Sequence, residues 1–330
     1  MRHIKKYSLL AESYKGLTDQ QFQFLCKVAG GRWIYNKKTK RVDLYDSISF
    51  GDEKFTRFPV NFGVVEGYFD CSYVGLVTLE GAPTEVSESF LCNNNHLKSL
   101  IGGPMKAKKY NCSYNDLTNL DGGPEEVESF NCKYNLITTL NDSKLKNVID
   151  FDCGHNKLTS LVGSPEKCDF FECEHNELIN LVGGPSEVKK QFSCFNNNLI
   201  SLKGVGKIGE IDERERINNI FSCVENPDLI SIEDFNSEGV RFFFDVSGTF
   251  RHYVKWDNNG IDGFQYRPDL FAPLINNAES VLLQFSKNLP GLSRIYDRLK
   301  PDIREKVLKK LNITANELSG IRNADKFGLF

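Results

Sequence analysis

One eleven-residue phrase recurs through the middle of this chain and restricts what it can fold into. It reads FDCSYVGLVTL from Phe69, FLCNNNHLKSL from Phe90, YNCSYNDLTNL from Tyr110 and FNCKYNLITTL from Phe130. It continues as FDCGHNKLTSL from Phe151, FECEHNELINL from Phe171 and FSCFNNNLISL from Phe192. An eighth copy, FSCVENPDLISI from Phe221, carries one extra residue. Its cysteines fall at 71, 92, 112, 132, 153, 173, 194 and 223, a period of 20 or 21 residues with one step of 29. A fixed period of that size means stacked units, none of which can bury a core alone. Such arrays more often present binding surfaces than catalytic clefts.

Inside each copy, Phe and Cys alternate with polar residues, the period-two signature of a short strand with one buried face. Three residues past the Cys comes Asn (95, 115, 135, 156, 176, 197 and 226), followed by two branched aliphatics. An amide there can bond backbone groups of its own turn and of the neighbouring one. Gly-Ala-Pro or Gly-Gly-Pro at 81–83, 102–104, 122–124 and 183–185, and Gly-Ser-Pro at 163–165, then provide turn chemistry. Val86, Val127 and Val188 follow and are expected to pack beneath the opposite side.

The spacing aromatic-x-Cys-x-x-Asn-x-Leu-x-x-Leu resembles the leucine-rich repeat, with Phe and Cys in place of the usual first leucines. Its Gly-Gly-Pro form is similar to repeats of tailed-bacteriophage and some bacterial proteins, and lacks the Leu-Pro pairs of secreted bacterial ligase effectors. The resemblance spans residues 42–246 and implies a β-rich solenoid of short parallel strands. Two further units are disguised by substitution: Ile48 and Phe50 lie 21 residues before Phe69 and Cys71, and Phe242 and Phe244 lie 21 after Phe221 and Cys223.

Residues 1–47 are expected to form a small α/β cap. Thr18 and Gln21 read as a capping box opening a helix through Val28 that Gly30-Gly31 ends, and RWIYNKKTKRVDLY reads as a hairpin. Residues 48–247 are expected to form the solenoid. Residues 248–330 are expected to be mainly helical, with patterns at 269–285, 292–299, 302–311 and 315–321. Asp257-Asn258-Asn259-Gly260-Ile261-Asp262 lacks the closing Glu of a calcium loop and is read as a turn.

Eight of the ten cysteines follow the strand register, so they are expected to be buried free thiols, which implies a reducing cytoplasm. The start carries no signal-peptide pattern, and nothing approaches the ~20 apolar residues that span a bilayer. Residues 1–41 hold ten Lys/Arg against two acids, residues 286–330 ten against five, and the stretch between 21 against 37. That acidic middle argues against nucleic acid along the array.

Exposed positions are expected one residue before, one after and two past each Cys. The residues singled out are Tyr114, Tyr134, Asp150, Asp152, His155, Glu172, Glu174, His175 and Phe195. Tyr offers contact area at low entropic penalty. The carboxylates, beside two histidines, could hold a metal or meet a basic partner, or form an ordinary solvated face. We assign no metal, cofactor or catalytic residue. The expected function is a non-enzymatic protein-interaction module whose protein partner, a basic one if it meets these acids, is held on the concave face, in the cytoplasm (the host's, if viral). Alternatives are a virion structural component and an effector whose C-terminal helices are targeted by the repeats.

Overall fold

A computed structural model describes residues 16–29, 32–209, 220–226, 240–244, 252–257, 260–262 and 301–319. The chain divides into two compact units, Met1–Leu158 with Val162–Pro165, and Thr159–Leu161 with Glu166–Phe330. Both are built as parallel β-solenoid, about eight turns in all, with few helices.

The first unit opens with α1 (Asp19–Val28), whose Thr18 hydroxyl accepts from the Gln21 amide while the Gln21 side chain accepts from Thr18 N–H. The capping box is as the sequence indicates; Gly30 and Gly31 lie outside the described residues. Strands β1 (Trp33–Asn36) and β2 (Arg41–Leu44) form the hairpin, Trp33 opposite Leu44 and Asn36 opposite Arg41. The solenoid follows with β3 (Ile48–Ser49), β4 (Phe62–Val65), β5 (Phe69–Asp70), β6 (Glu85–Val86), β7 (Ser89–Leu91), β8 (Lys109–Asn111), β9 (Ser129–Asn131) and β10 (Asp150–Asp152).

The strands sort into two ladders. On one side β3, β5, β7, β8, β9 and β10 run parallel and in register, so that Ile48 meets Phe69, Phe69 meets Phe90, and Phe130 meets Phe151. On the other, β2, β4 and β6 pair in parallel, and single bridges carry the ladder on from Glu85 to Lys106 to Glu126. The sequence reading missed this second ladder. Val86 beneath it is buried, while Val127 is half-buried.

Between the ladders lie stacked columns of buried side chains. Phe69, Phe90, Tyr110, Phe130 and Phe151 stack at centroid separations of 5.8, 4.9, 5.7 and 5.7 Å. Cys71, Cys92, Cys112, Cys132 and Cys153 stand two residues on, each wholly buried, and the leucines complete the core. At the start of the column Phe50 stacks on Phe24 of α1 at 5.9 Å, and Leu25 is fully buried. The first glycine of each turn takes positive φ. At Gly122, φ is 77° and a Cβ would fall 2.4 Å from the Ile101 backbone, so any other residue would be both strained and obstructed.

The second unit repeats the plan with β11 (Lys167–Glu172), β12 (Glu187–Ser193), β13 (Lys207–Ile208), β14 (Ile220–Cys223) and β15 (Val240–Phe244). Phe171, Phe192, Phe221 and Phe242 fall in register, as do Cys223 and Phe244. The disguised unit at Phe242 is therefore a coil of the solenoid. Beyond it, β16 (His252–Asp257) and β17 (Gly260–Asp262) extend the sheet antiparallel, with Asp257 opposite Gly260. That start to the C-terminal region is β structure, in a region expected to be mainly helical, where only a turn at 257–262 had been read. Further on, α2 (Pro301–Leu311) matches the expected third helix. A short helix at 315–319 opens on a reciprocal Thr314–Glu317 pair, and Thr314 holds the Glu317 carboxyl below its usual range. The expected helices at 269–285 and 292–299 lie outside the described residues. Among the described residues no helix is long and apolar enough to cross a membrane.

The coils are joined by the asparagines. The Asn135 side-chain oxygen accepts from Leu117 N–H at 3.0 Å. Its amide nitrogen donates to Cys112 O, Cys132 O and Lys133 O at 3.1, 3.0 and 3.3 Å. Asn95, Asn115, Asn197 and Asn226 make the same set of bonds to the coil before them. Asn135→Ala should destabilise the protein by about 3 kcal/mol, since it orphans several buried backbone groups worth ~1–3 kcal/mol each. Asn135→Asp keeps the acceptor but turns a carboxylate toward three carbonyls, which raises its folded-state pKa. Its melting temperature at neutral pH should be no better than the alanine variant's, and should recover as pH falls and the carboxyl regains a proton.

None of the ten cysteines is in a disulfide, and only Cys26 is exposed. Burial pushes the thiols of Cys71, Cys92, Cys112, Cys132 and Cys194 well above the usual range, which disfavours the reactive thiolate. A disulfide-exchange reagent should therefore find one fast thiol in the native protein and nine more only on unfolding. Several fast thiols in the native protein would contradict this packing.

Candidate functional site

Each strand of the first ladder is two or three residues long, and the chain bends away directly after the Cys. That bend decides what the neighbouring side chains do. The residue before the Cys folds back as an acceptor for the N–H two residues on. Asp70 takes Ser72 at 3.0 Å, Asn111 takes Ser113 at 3.1 Å, Asn131 takes Lys133 at 3.2 Å and Asp152 takes Gly154 at 3.1 Å. This short-range capping is what Asx side chains do at turns. The rows flanking the Cys, expected to be exposed, are instead half-buried or buried. They are committed to holding the bend.

A similar use explains the Ser, Thr and Asn residues seven past the Cys. Thr78, Ser99, Asn119, Thr139 and Asn180 accept from the N–H two residues later at 3.0–3.2 Å. The positions left outward-facing are those two, four, six and nine past the Cys.

The row two past the Cys is the most distinctive. Tyr73, Asn94, Tyr114, Tyr134 and His155 in the first unit, and His175, Asn196 and Glu225 in the second, all have φ between 50° and 61°. Left-handed backbone is unfavourable for an aromatic residue and far easier for Asn or Gly. The strain is spread down the row and partly offset by stacking. Tyr114 lies on Tyr134 at 4.3 Å with planes 11° apart, and Tyr134 on His155 at 3.9 Å and 15°. Tyr73, Tyr114 and Tyr134 nonetheless remain 62%, 46% and 37% exposed, with Leu136 beside them at 41%. Lost hydration and a hydrogen bond with Tyr134 raise the Tyr114 phenol above its usual pKa.

The carboxylates divide between the units. In the first, Asp150 is half-buried and Asp152 is 8% exposed. Besides capping Gly154, Asp152 lies 3.1 Å from the Lys133 ammonium of the preceding coil. It is thus already matched in charge and hydrogen bonding, where a solvated carboxylate awaiting a partner had been expected. In the second, Glu172 is half-buried and Glu174 is 9% exposed. His175 meets Phe195 edge to face at 5.1 Å, and Asn196 donates to Glu225 at 3.2 Å. Residues 210–216, a charged stretch within the 29-residue step, lie outside the described residues.

Charge is distributed unevenly over the first unit. Along the second ladder Lys106–Glu126, Lys108–Glu88 and Lys144–Glu125 form exposed ion pairs at 2.7, 2.7 and 2.8 Å. By contrast, the rows one before, one after and two past the cysteines from Cys71 to Cys153 hold three charged side chains, Asp70, Lys133 and Asp152. The remainder of those rows is Asn, Ser, Tyr, Leu, Gly and His. Rows poor in charge and rich in Tyr have the composition of the centre of a recognition surface.

Asp152→Ala should lower the melting temperature by an amount equivalent to about 2 kcal/mol, because both the cap and the partner of Lys133 are lost. Asp152→Asn, which keeps the cap, should recover much of that. Equal stability of all three proteins would return Asp152 to the pool of free surface acids.

No known protein family, characterised protein or solved structure matches the chain.

Proposed function

We propose that the protein is a non-enzymatic interaction module of the leucine-rich-repeat type that holds a protein partner against the strand-exit face of its solenoid. The observation that carries this reading is the stack of exposed Tyr114 and Tyr134 and half-buried His155 on left-handed backbone, where Asn or Gly would fold with less strain. Large aromatics retained there supply contact area at low entropic penalty, as recognition surfaces do. The Asn-to-backbone bonding supports the repeat type, since the amide performs the task that its place in the phrase implies. Contact of Phe24 with Phe50 and Phe55 supports a capping role for residues 1–47. The reduced thiols support a cytoplasmic setting.

The partner contact is centred on Tyr114 and Tyr134, and the acids play a smaller part than their number suggests. Asp152 in particular serves folding first. Capture of binding proteins from source cells, followed by mass spectrometry, tests this by comparing the parent with Tyr114→Asn/Tyr134→Asn. Asn suits the left-handed backbone, so that variant should melt no lower than the parent while losing its captured protein. Retention of the same protein at the same yield would place the contact elsewhere.

A further inference from the structure

We infer that the partner on this face is a second copy of the chain, paired row against row about a two-fold axis. This rests on the row being an interaction surface, and two features of the row select the occupant. The first is period. The row repeats with the coils, whose strands lie about 4.8 Å apart. An extended peptide presents one-sided side chains roughly every 6.7 Å and falls out of step within about three coils. A helix of pitch ~5.4 Å gains more than half an ångström per coil. A second copy has the same repeat and stays in register along the whole row. Interdigitation of identical rows at this spacing is how stacked β-structures form dry interfaces.

The second feature is charge. Burying the exposed Lys106–Glu126, Lys108–Glu88 and Lys144–Glu125 pairs would strip their hydration, so the second ladder is a poor place for self-pairing. The strand-exit rows of the first unit hold Asp70, Lys133 and Asp152, and the last two lie 3.1 Å apart as a pair. What remains of net charge there is Asp70, already accepting from Ser72. In the first unit the row itself holds no Asp, Glu, Lys or Arg, and beside it the positions four past the Cys hold Asp116 and Lys157, one coil to either side of Leu136. A copy turned about a two-fold axis through that coil sets each of them against its opposite in the partner. In the pair, the stacked rings of Tyr114 and Tyr134 present edges and hydroxyls to those of the partner, with Leu136 and Tyr73 flanking. A two-fold contact of this kind is self-complementary and closes as a dimer.

Sedimentation velocity of the full chain, from dilute to concentrated solution, tests the pairing. The parent should show a concentration-dependent dimer. Tyr134→Glu and Tyr134→Lys should each dimerise about a hundredfold more weakly, because like charges are brought together. An equimolar mixture of the two should regain a dimer close to the parent's affinity. Thermal melting of each variant establishes that it folds, and Tyr134→Asn provides an uncharged check on loss of the ring. A parent that stays monomeric at the highest concentration overturns self-pairing; the capture experiment then decides separately whether the row binds anything. A dimer unweakened in both charged variants also overturns it, since the copies would then meet through another surface.

Discussion

The solenoid depends on one repeated interaction, the buried asparagine side chain that satisfies backbone groups of two coils together. A coil with two short strands and tight bends leaves peptide groups exposed inside the stack, and each would carry a penalty of ~1–3 kcal/mol if left unpaired. The amide offers an acceptor and two donors in one plane, which Ser, Asp or Gln cannot reproduce with the same reach and polarity. Asn226, wholly buried, bonds across the lengthened step to Leu199 and Cys194 as the others do across ordinary ones. The bonding between coils is therefore unchanged across the lengthened step.

With that frame fixed, the remaining columns have narrow tasks. Phe fills the wide part of the core and Cys the narrow part next to the bend, where a thiol is small enough to sit against its neighbour in the next coil. Tyr110 is the variation on the theme: it takes a phenylalanine place, and its hydroxyl is buried without a partner. Asx residues before the Cys, and Ser, Thr or Asn seven after it, hold the bends. Surface function is left to the few outward positions, and the row two past the Cys combines exposure, aromatic area and backbone strain.

Much of the frame was legible in the phrase itself. The register of Phe69, Phe90 and Tyr110, the end units at Ile48 and Phe242, the Thr18–Gln21 box and the role of the asparagines all follow from spacing and residue chemistry. The second ladder was not legible, because Glu85-Val86 and Lys106 are too short and too charged to read as strands. Strands β16 and β17 were missed because HYVKWD lies beyond the last copy, where no repeat frame aligns it. The burial of Asp152 depends on Lys133, nineteen residues upstream and adjacent only once the coils stack. The left-handed conformation at Tyr114, Tyr134 and His155 was hidden too, since aromatic residues are the last to suggest it.

Amide hydrogen exchange of Leu97, Leu117, Ile137, Leu178 and Leu199 tests the central role of the asparagines most directly. Each of these N–H groups donates to the side-chain oxygen of an Asn in the following coil, at 3.0–3.1 Å. If that bonding holds the coils together, these amides exchange as slowly as those of the Phe and Cys strands, although they lie in bends. In Asn135→Ala, protection of Leu117 should collapse first. Exchange at the rate of exposed loop amides in the parent protein would contradict the account.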